Sequence, residues 1–276
     1  MRVAFQGERG AYSEAAAIDY FGESIVPVAC RTFDTVFSSV DSGNCAKGMI
    51  PVENSLAGSI HRNYDLLQRH QLSIVGEKKF RVRHCLIAQP DVQIKDIRKV
   101  ISHPQALAQC EKYIDKLGVE REASYDTAGA VKTLSETDMC DHAAIASKLA
   151  AKVYGMQILD ESIEDAKENY TRFLALAREP EIVTHESTKT SIAFTLSQGG
   201  TTPGSLFRAI GVFAMRDINL TKIESRPTPS ETFNYIFYLD FEGSIEETRC
   251  QRALEHLSEM APDVRVFGTY KSDSTI

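Results

Sequence analysis

Short apolar runs alternate with helical stretches over the first 180 residues. Arg2–Phe5, Ser24–Ala29, Gly48–Val52 and Lys99–Ser102 read as strands. The helical stretches have recognisable starts. A short polar side chain just before an apolar-periodic run can accept the N–H groups that a first turn leaves unpaired. Ser13 is so placed for a helix over Glu14–Phe21, Thr32 for Phe33–Val40, Asp126 for Thr127–Leu134 and Ser147 for Lys148–Tyr154. Pro104 suits the first turn of a helix running through Leu117, because its fixed φ is helical and its missing N–H is not needed there. Strand–helix alternation of this kind predicts an α/β layer fold with mostly parallel sheets.

The rhythm changes after Arg178-Glu179-Pro180. Ser191–Leu196, Asn219–Glu224, Tyr235–Phe241 and Val264–Gly268 read as strands. Gly204–Arg216 and Ile245–Met260 read as helices, the first with Leu206, Ile210 and Phe213 on one face. The order βαββαβ is that of a ferredoxin-like split unit, with a domain boundary near residue 185.

Composition narrows the function classes. A chain of 276 residues, 43% hydrophobic and 25% charged, is long enough for two cores. The net charge of −7 and the lack of a Lys/Arg block argue against a nucleic-acid partner. A small anionic substrate in a local pocket remains compatible with that charge. No run approaches the ~18–20 apolar residues of a membrane span, and Met1–Phe5 does not open a secretory signal. A cytoplasmic protein with no membrane partner is the expectation. The six cysteines form no C-x-x-C pair and no zinc-like Cys/His spacing, so reduced, packed thiols are expected and no metal.

Five segments carry candidate chemistry, each with a plainer reading beside it. Gly7-Glu8-Arg9-Gly10-Ala11-Tyr12-Ser13 joins a strand to a helix and could hold an anion on backbone N–H groups; it could equally be a tight turn. Pro51-Val52-Glu53-Asn54-Ser55 ends a strand, where α/β folds bind ligands, while Ser59 could simply cap the next helix. Ser102-His103-Pro104-Gln105 starts a helix on which Gln105 and Gln109 share a face; His103 fits a structural role better than a base. Asn169-Tyr170-Thr171-Arg172-Phe173 sets a hydroxyl, a guanidinium and an aromatic side by side. An Arg there can clamp a carboxylate or be merely solvated. Glu224-Ser225-Arg226-Pro227 ends a strand of the last module, before a Pro- and Ser/Thr-rich loop.

Taken in order, these segments resemble the prephenate dehydratase family through nearly the whole chain. The pairing of Thr171-Arg172-Phe173 with Glu224-Ser225-Arg226-Pro227 is the most specific part. Gly58–Leu67 looks especially like plant-type members, several of which prefer arogenate. One departure is Gly204-Ser205-Leu206, where members often have Gly-Ala-Leu.

The resemblance implies a two-lobed catalytic domain like a type II periplasmic binding protein over 1–184. Lobe one would be 1–77 with 167–184 and lobe two 78–166, crossed near Glu77–Phe80 and Asp165–Asn169, with the active site between them. It implies an ACT regulatory domain over 185–276. The activity implied is decarboxylating dehydration of prephenate to phenylpyruvate in L-phenylalanine biosynthesis, with arogenate dehydration as the alternative and a non-catalytic amino-acid sensor as a third. Aromatisation drives the reaction, so no cofactor is expected. Thr171, Arg172, Phe173, Glu53 and Asn54 are the expected catalytic residues. Thr171 would donate to the leaving hydroxyl, Arg172 anchor an anion and Phe173 form a dry wall. Ser13, Ser55, Ser102, Gln105 and Gln109 would bind substrate. L-Phenylalanine is the expected effector, held by Gly204-Ser205-Leu206, Asn219-Leu220 and Glu224-Ser225-Arg226-Pro227. A homodimer or homotetramer is expected, since pairing would cover a lone sheet's edges and open face.

Overall fold

The computed structural model describes residues 1–181, 183, 187–196, 202–228 and 235–274. In chain order its first elements are β1 (Arg2–Gln6), α1 (Tyr12–Phe21), β2 (Val26–Cys30), α2 (Phe33–Asp41), β3 (Lys47–Asn54), β4 (Gly58–Ser59), α3 (His61–Arg69) and β5 (Ser73–Arg81). Next come β6 (Cys85–Ala88), β7 (Lys99–Ser102), α4 (Pro104–Gln109), α5 (Glu111–Leu117), β8 (Glu120–Ala123), α6 (Thr127–Ser135), β9 (His142–Ala146), α7 (Lys148–Tyr154) and β10 (Gln157–Glu161). The last are β11 (Tyr170–Ala177), β12 (Thr188–Thr195), α8 (Ser205–Ala214), β13 (Leu220–Pro227), β14 (Tyr235–Glu242), α9 (Thr248–Ser258) and β15 (Asp263–Lys271).

Three of the expected caps are in place. Thr32 accepts from Thr35 N–H, Asp126 from Ala128 and Gly129 N–H, and Ser147 from Ala150 N–H. Ser13 is not a cap. The Gly7–Gly10 turn closes with Ala11 N–H on Glu8 carbonyl, which leaves Ala11 extended as the N-cap and places Ser13 inside the first turn. Gly10 is obligatory in that turn. Its φ is +87°, and a Cβ there would lie 2.5 Å from Ala150 Cα. Ser59 pairs with Glu53 in the short strand β4, just ahead of α3. The single helix expected over 104–117 breaks at Cys110, since Asp165 N–H takes the Gln109 carbonyl at 2.8 Å.

Two sheets are built from the first 177 residues. The first has the order β2-β1-β3-β11-β5, with β1 parallel to both β2 and β3. The second has the order β10-β6-β9-β7-β8. Here β7 runs parallel to β8 and β9, while β6 and β10 enter antiparallel. The mostly parallel expectation therefore holds for the inner βα repeats and not for the strands next to the crossings between sheets. The chain leaves the first sheet through residues 82–84 and returns through 162–169.

The last part is a four-stranded sheet of order β13-β14-β12-β15, antiparallel throughout, with α8 and α9. Its core gathers Ile192, Phe194, Val212, Phe213, Leu239, Phe241 and Leu257. This is the expected βαββαβ unit.

The chain falls into two units, Met1–Leu66 with Lys78–Phe173, and Leu67–Glu77 with Leu174–Ile276. Against the expected boundary near 185, the second unit also takes Leu67–Glu77. Side chains account for that. Arg265 donates to the Gln68 and His70 carbonyls at 2.8 and 2.5 Å, and Lys189 pairs with the fully buried Glu77 at 2.8 Å.

Candidate active site

Three helix starts converge on one cavity of about 250 Å³ in the first unit. Ala11, Tyr12 and Ser13 come from α1, His103, Gln105 and Ala106 from α4, and Asp126 and Thr127 from α6. Helix starts present unpaired N–H groups and the positive end of the helix dipole. No side chain caps α1. Among the described residues that line the cavity there is no Lys or Arg. Its one carboxylate, Asp126, is already occupied by N–H groups of Glu8, Ala128 and Gly129 at 2.7–3.1 Å. The anion held by the Gly7–Gly10 turn is thus Asp126 itself.

The floor is a row of amides. Asn54 ends β3 and is only 7% exposed. Its Oδ1 accepts from the N–H groups of Leu56 and Ala57, at 3.1 and 3.0 Å. That fixes the orientation of the amide, so Nδ2 is the end that faces Asn169 Oδ1 (2.8 Å), Tyr170 O (3.1 Å) and Thr171 Oγ1 (3.0 Å). Thr171 therefore receives a hydrogen bond. Its own proton is left for another acceptor.

Strand alternation decides which members of Thr171-Arg172-Phe173 reach the cavity. Thr171 and Phe173 line it, and Phe80 packs edge-on against Phe173 at 6.5 Å. Arg172 lies between them on β11 and is not among the lining residues. Glu53, one residue before Asn54, is not among them either. The geometry thus does not bring the expected anion anchor to the cavity; the helix starts stand where it was expected.

The expected substrate-binding residues divide in the same way. Ser13, Gln105 and Gln109 line the cavity. Ser102 is fully buried, donates to the Ile145 carbonyl at 2.6 Å and is no part of the lining. Ser55 donates to the Glu168 carbonyl and accepts from Tyr170 N–H, both at 3.0 Å, so it fastens the end of β3 to the start of β11.

Residues that carried no motif complete the wall. His84, in the crossing between β5 and β6, is 2% exposed. Its Nε2 lies 2.8 Å from Gln109 Oε1 and its Nδ1 2.8 Å from Tyr12 Oη. Asn169 Nδ2 donates to the same Gln109 Oε1 at 3.0 Å. Burial holds the His84 imidazole below its usual value, against the opposing effects of Gln109 and Glu164. Desolvation raises the Tyr12 phenol well above 10, and burial pushes the Cys85 thiol up to about 11. Tyr12 stood inside a quoted segment. His84 sits in Arg81-Val82-Arg83-His84-Cys85, where neither spacing nor periodicity marks it.

In the second unit, Gly204 is the N-cap of α8 with φ +79°, and Ser205 Oγ donates to the Thr202 carbonyl. Leu206 packs against the core of the last sheet, and Asn219 accepts from Glu242 N–H at 2.9 Å. Leu220, Glu224, Ser225, Arg226 and Pro227 all lie in β13, the edge strand. Part of the loop expected after Pro227 lies outside the described residues.

This architecture has known relatives. The family model for prephenate dehydratase matches residues 3–181. The chain belongs to the prephenate dehydratase family. The arogenate dehydratase/prephenate dehydratase 2 of Arabidopsis thaliana is 52% identical over the whole of this chain and 74% of its own length. The prephenate dehydratase of Arthrobacter aurescens, solved in complex with L-Phe, superposes with a TM-score of 0.91 at 29% identity, covering 99% of this chain and 90% of that one. A protein described as a novel type of quorum quenching acylase, GqqA, superposes at 0.92 with 33% identity over 99% of both chains.

The expected cytoplasmic location is corrected by the relatives. Three from Arabidopsis thaliana, 47–52% identical, are named chloroplastic, which points to a plastid. The apolar-run test detects secretory and membrane segments only. Organelle leaders are amphipathic and polar, so that test could not separate plastid from cytoplasm.

Proposed function

We propose that the first unit catalyses the decarboxylating dehydration of prephenate to phenylpyruvate, with Thr171 as the donor to the departing hydroxyl. The observation that carries this is the Asn54 amide, which donates to Thr171 Oγ1 and leaves the hydroxyl proton free for the substrate. The carboxylate carbon leaves as CO2, its bonding pair enters the ring, and the hydroxyl opposite leaves as water after gaining a proton. A threonine is a feeble acid, so its contribution is a hydrogen bond that strengthens as charge develops on the leaving oxygen. Substrate carboxylates suit the N–H groups at the start of α1, which no side chain caps, and Phe173 supplies an apolar wall that favours neutral CO2. Acyl transfer would need a hydroxyl whose proton is taken by a neighbouring base. Thr171 instead accepts from an amide, which supports dehydration over the acylase activity named for GqqA.

The second reading is arogenate dehydration, favoured by the relatives' names. Arogenate carries an ammonium in place of the keto group and so brings less negative charge to a cavity without lining Lys or Arg. Parallel assays of phenylpyruvate formed from prephenate and L-phenylalanine formed from arogenate test both readings. Turnover of one or both is expected; turnover of neither refutes the dehydratase assignment.

We further infer that the βαββαβ unit is an ACT domain through which L-phenylalanine feeds back on the enzyme, and that this unit mediates assembly into a homodimer or homotetramer. The L-Phe complex of the Arthrobacter relative supports the effector. The first turn of α8 offers N–H groups for the amino-acid carboxylate, and β13 is an edge strand with carbonyls for the ammonium. Exposed Phe207, Met215 and Ile223 are apolar surface that self-association would cover. Gly204→Trp should abolish inhibition by phenylalanine, because an indole at a position with φ +79° both strains the turn and fills the site. Calorimetry finding unchanged phenylalanine binding to the folded variant would refute the placement.

A further inference from the structure

Hydrogen-bond direction can be read along the whole floor of the cavity, starting from two backbone groups. Leu56 and Ala57 N–H fix Asn54 Oδ1 as acceptor, so Asn54 Nδ2 donates to Asn169 Oδ1. Asn169 must then donate from Nδ2, which it does to Gln109 Oε1. That oxygen faces His84 Nε2 at 2.8 Å, so Nε2 carries a proton. An imidazole with one proton then has a bare Nδ1, and Tyr12 Oη donates to it.

We propose that His84 is a positioning residue whose single proton on Nε2 holds Gln109 and Asn169 in the orientation that matches the backbone-pinned Asn54, and so keeps the Asn54 amide on Thr171 with the hydroxyl free to donate to substrate. The inference rests on the dehydratase reading and deepens it. If His84 cannot donate from Nε2, Gln109 loses one of the two donors that pin its oxygen. Its amide can then turn, presenting NH2 to Asn169 Nδ2. Two donors facing each other would turn Asn169 in its turn, bring its NH2 toward Asn54 Nδ2 and loosen the amide that holds Thr171.

The surroundings of His84 are tuned for the same state. Glu164 Oε2 accepts from the His84 backbone N–H at 2.9 Å, and the Tyr12 ring stacks edge-on at 5.5 Å. Cys85 and Cys110 stay protonated because burial raises both thiols, and Glu164 is the charged group that acts on the ring. Burial outweighs that carboxylate and keeps the imidazole below 6.5. A second proton, on Nδ1, would make the ring a donor to Tyr12. The phenol proton, shared in the neutral state between Nδ1 and the Arg83 carbonyl at 2.9 Å, would then go to that carbonyl alone. The Tyr12 hydroxyl thus has an acceptor in both protonation states.

The test is steady-state kinetics of the full chain from pH 4.5 to 8.5 for the wild type, His84→Leu, His84→Gln and Thr171→Ala, with each fold checked by circular dichroism. His84→Leu is expected to lower kcat about 10²-fold, with KM changed far less. His84→Gln, whose amide can still donate toward Gln109, should recover most of that loss. In the wild type kcat should fall on the acid side below 6.5, where His84 takes up its second proton, and that limb should be missing in His84→Gln. The double variant His84→Leu/Thr171→Ala should be no slower than Thr171→Ala alone, because both changes remove the same proton. Additive losses, an unchanged acid limb in His84→Gln, or normal kcat in His84→Leu would each overturn the proposal. A wild-type chain that turns over neither substrate would refute the dehydratase reading instead.

Discussion

Thr171→Ala is expected to lower kcat by about 10²–10³-fold, the usual effect of losing one well-placed donor, while the fold is kept. The structural cost should be small. Asn54 Nδ2 keeps Asn169 Oδ1 and the Tyr170 carbonyl as acceptors, so no buried donor is orphaned. The site is 8% exposed, and losing a hydroxyl and a methyl group there opens little volume. Two further substitutions separate chemistry from packing. Thr171→Val keeps the shape without the hydroxyl and should be as slow as alanine. Thr171→Ser keeps the hydroxyl and should retain most of the rate. KM should move little in any of them if the hydrogen bond strengthens only as the leaving oxygen gains charge. A folded Thr171→Val enzyme with near-normal kcat would remove Thr171 from the reaction. The donor would then be sought among the other hydroxyls of the wall, Ser13, Tyr12 and Thr127.

The sequence was legible where local chemistry is decisive. Thr32, Asp126 and Ser147 announce their helices because a cap is a contact within three residues. The last unit was legible because its two helices each bury one stripe in a single core. Strands β8 and β9 were missed for opposite reasons. β9, His142–Ala146, is almost wholly buried on both faces and shows no alternation, whereas β8, Glu120–Ala123, is exposed along its length and carries no apolar signal. Of the expected site residues, Thr171, Phe173, Asn54 and Gln109 line the cavity, and hydrogen bonds of the amide row join all of these but Phe173. Arg172 is expected in the site because a guanidinium suits a carboxylate, but alternation along β11 gives neighbours opposite faces, and the cavity lining holds Thr171 and Phe173 without it. Nothing local to Asn169 or His84 in the sequence assigns either a role. Their meaning lies in partners 60 and 25 residues away, and no local pattern records a partner at that distance. Where a guanidinium clamp is expected, the cavity lining presents helix starts, whose backbone N–H groups every sequence possesses and none advertises.

Lys189→Met is expected to destabilise the second unit by about 3–5 kcal/mol, the usual cost of removing one partner from a buried ion pair. Glu77 is fully buried at its carboxylate and Lys189 is 7% exposed at its side chain. Both carboxylate oxygens take the ammonium, at 2.8 and 3.1 Å. Ser272 Oγ and Asp273 N–H add bonds to Oε1 at 3.3 and 3.1 Å. The substitution takes a cation away from a carboxylate shielded from water. The loss should appear in urea unfolding as a lower midpoint. Exchanging both partners, Glu77→Leu with Lys189→Met, removes the charges together and should restore most of the stability, since apolar replacements of buried pairs are often neutral or better. The pair also fastens Leu67–Glu77 to the last sheet, and the same strand, β5, continues to Arg81, directly before the crossing that carries His84. The single variant should therefore lose phenylalanine inhibition at urea concentrations at which basal turnover still persists. A Lys189→Met protein within about 1 kcal/mol of the wild type would mean that water reaches Glu77 and that the pair behaves as a surface ion pair.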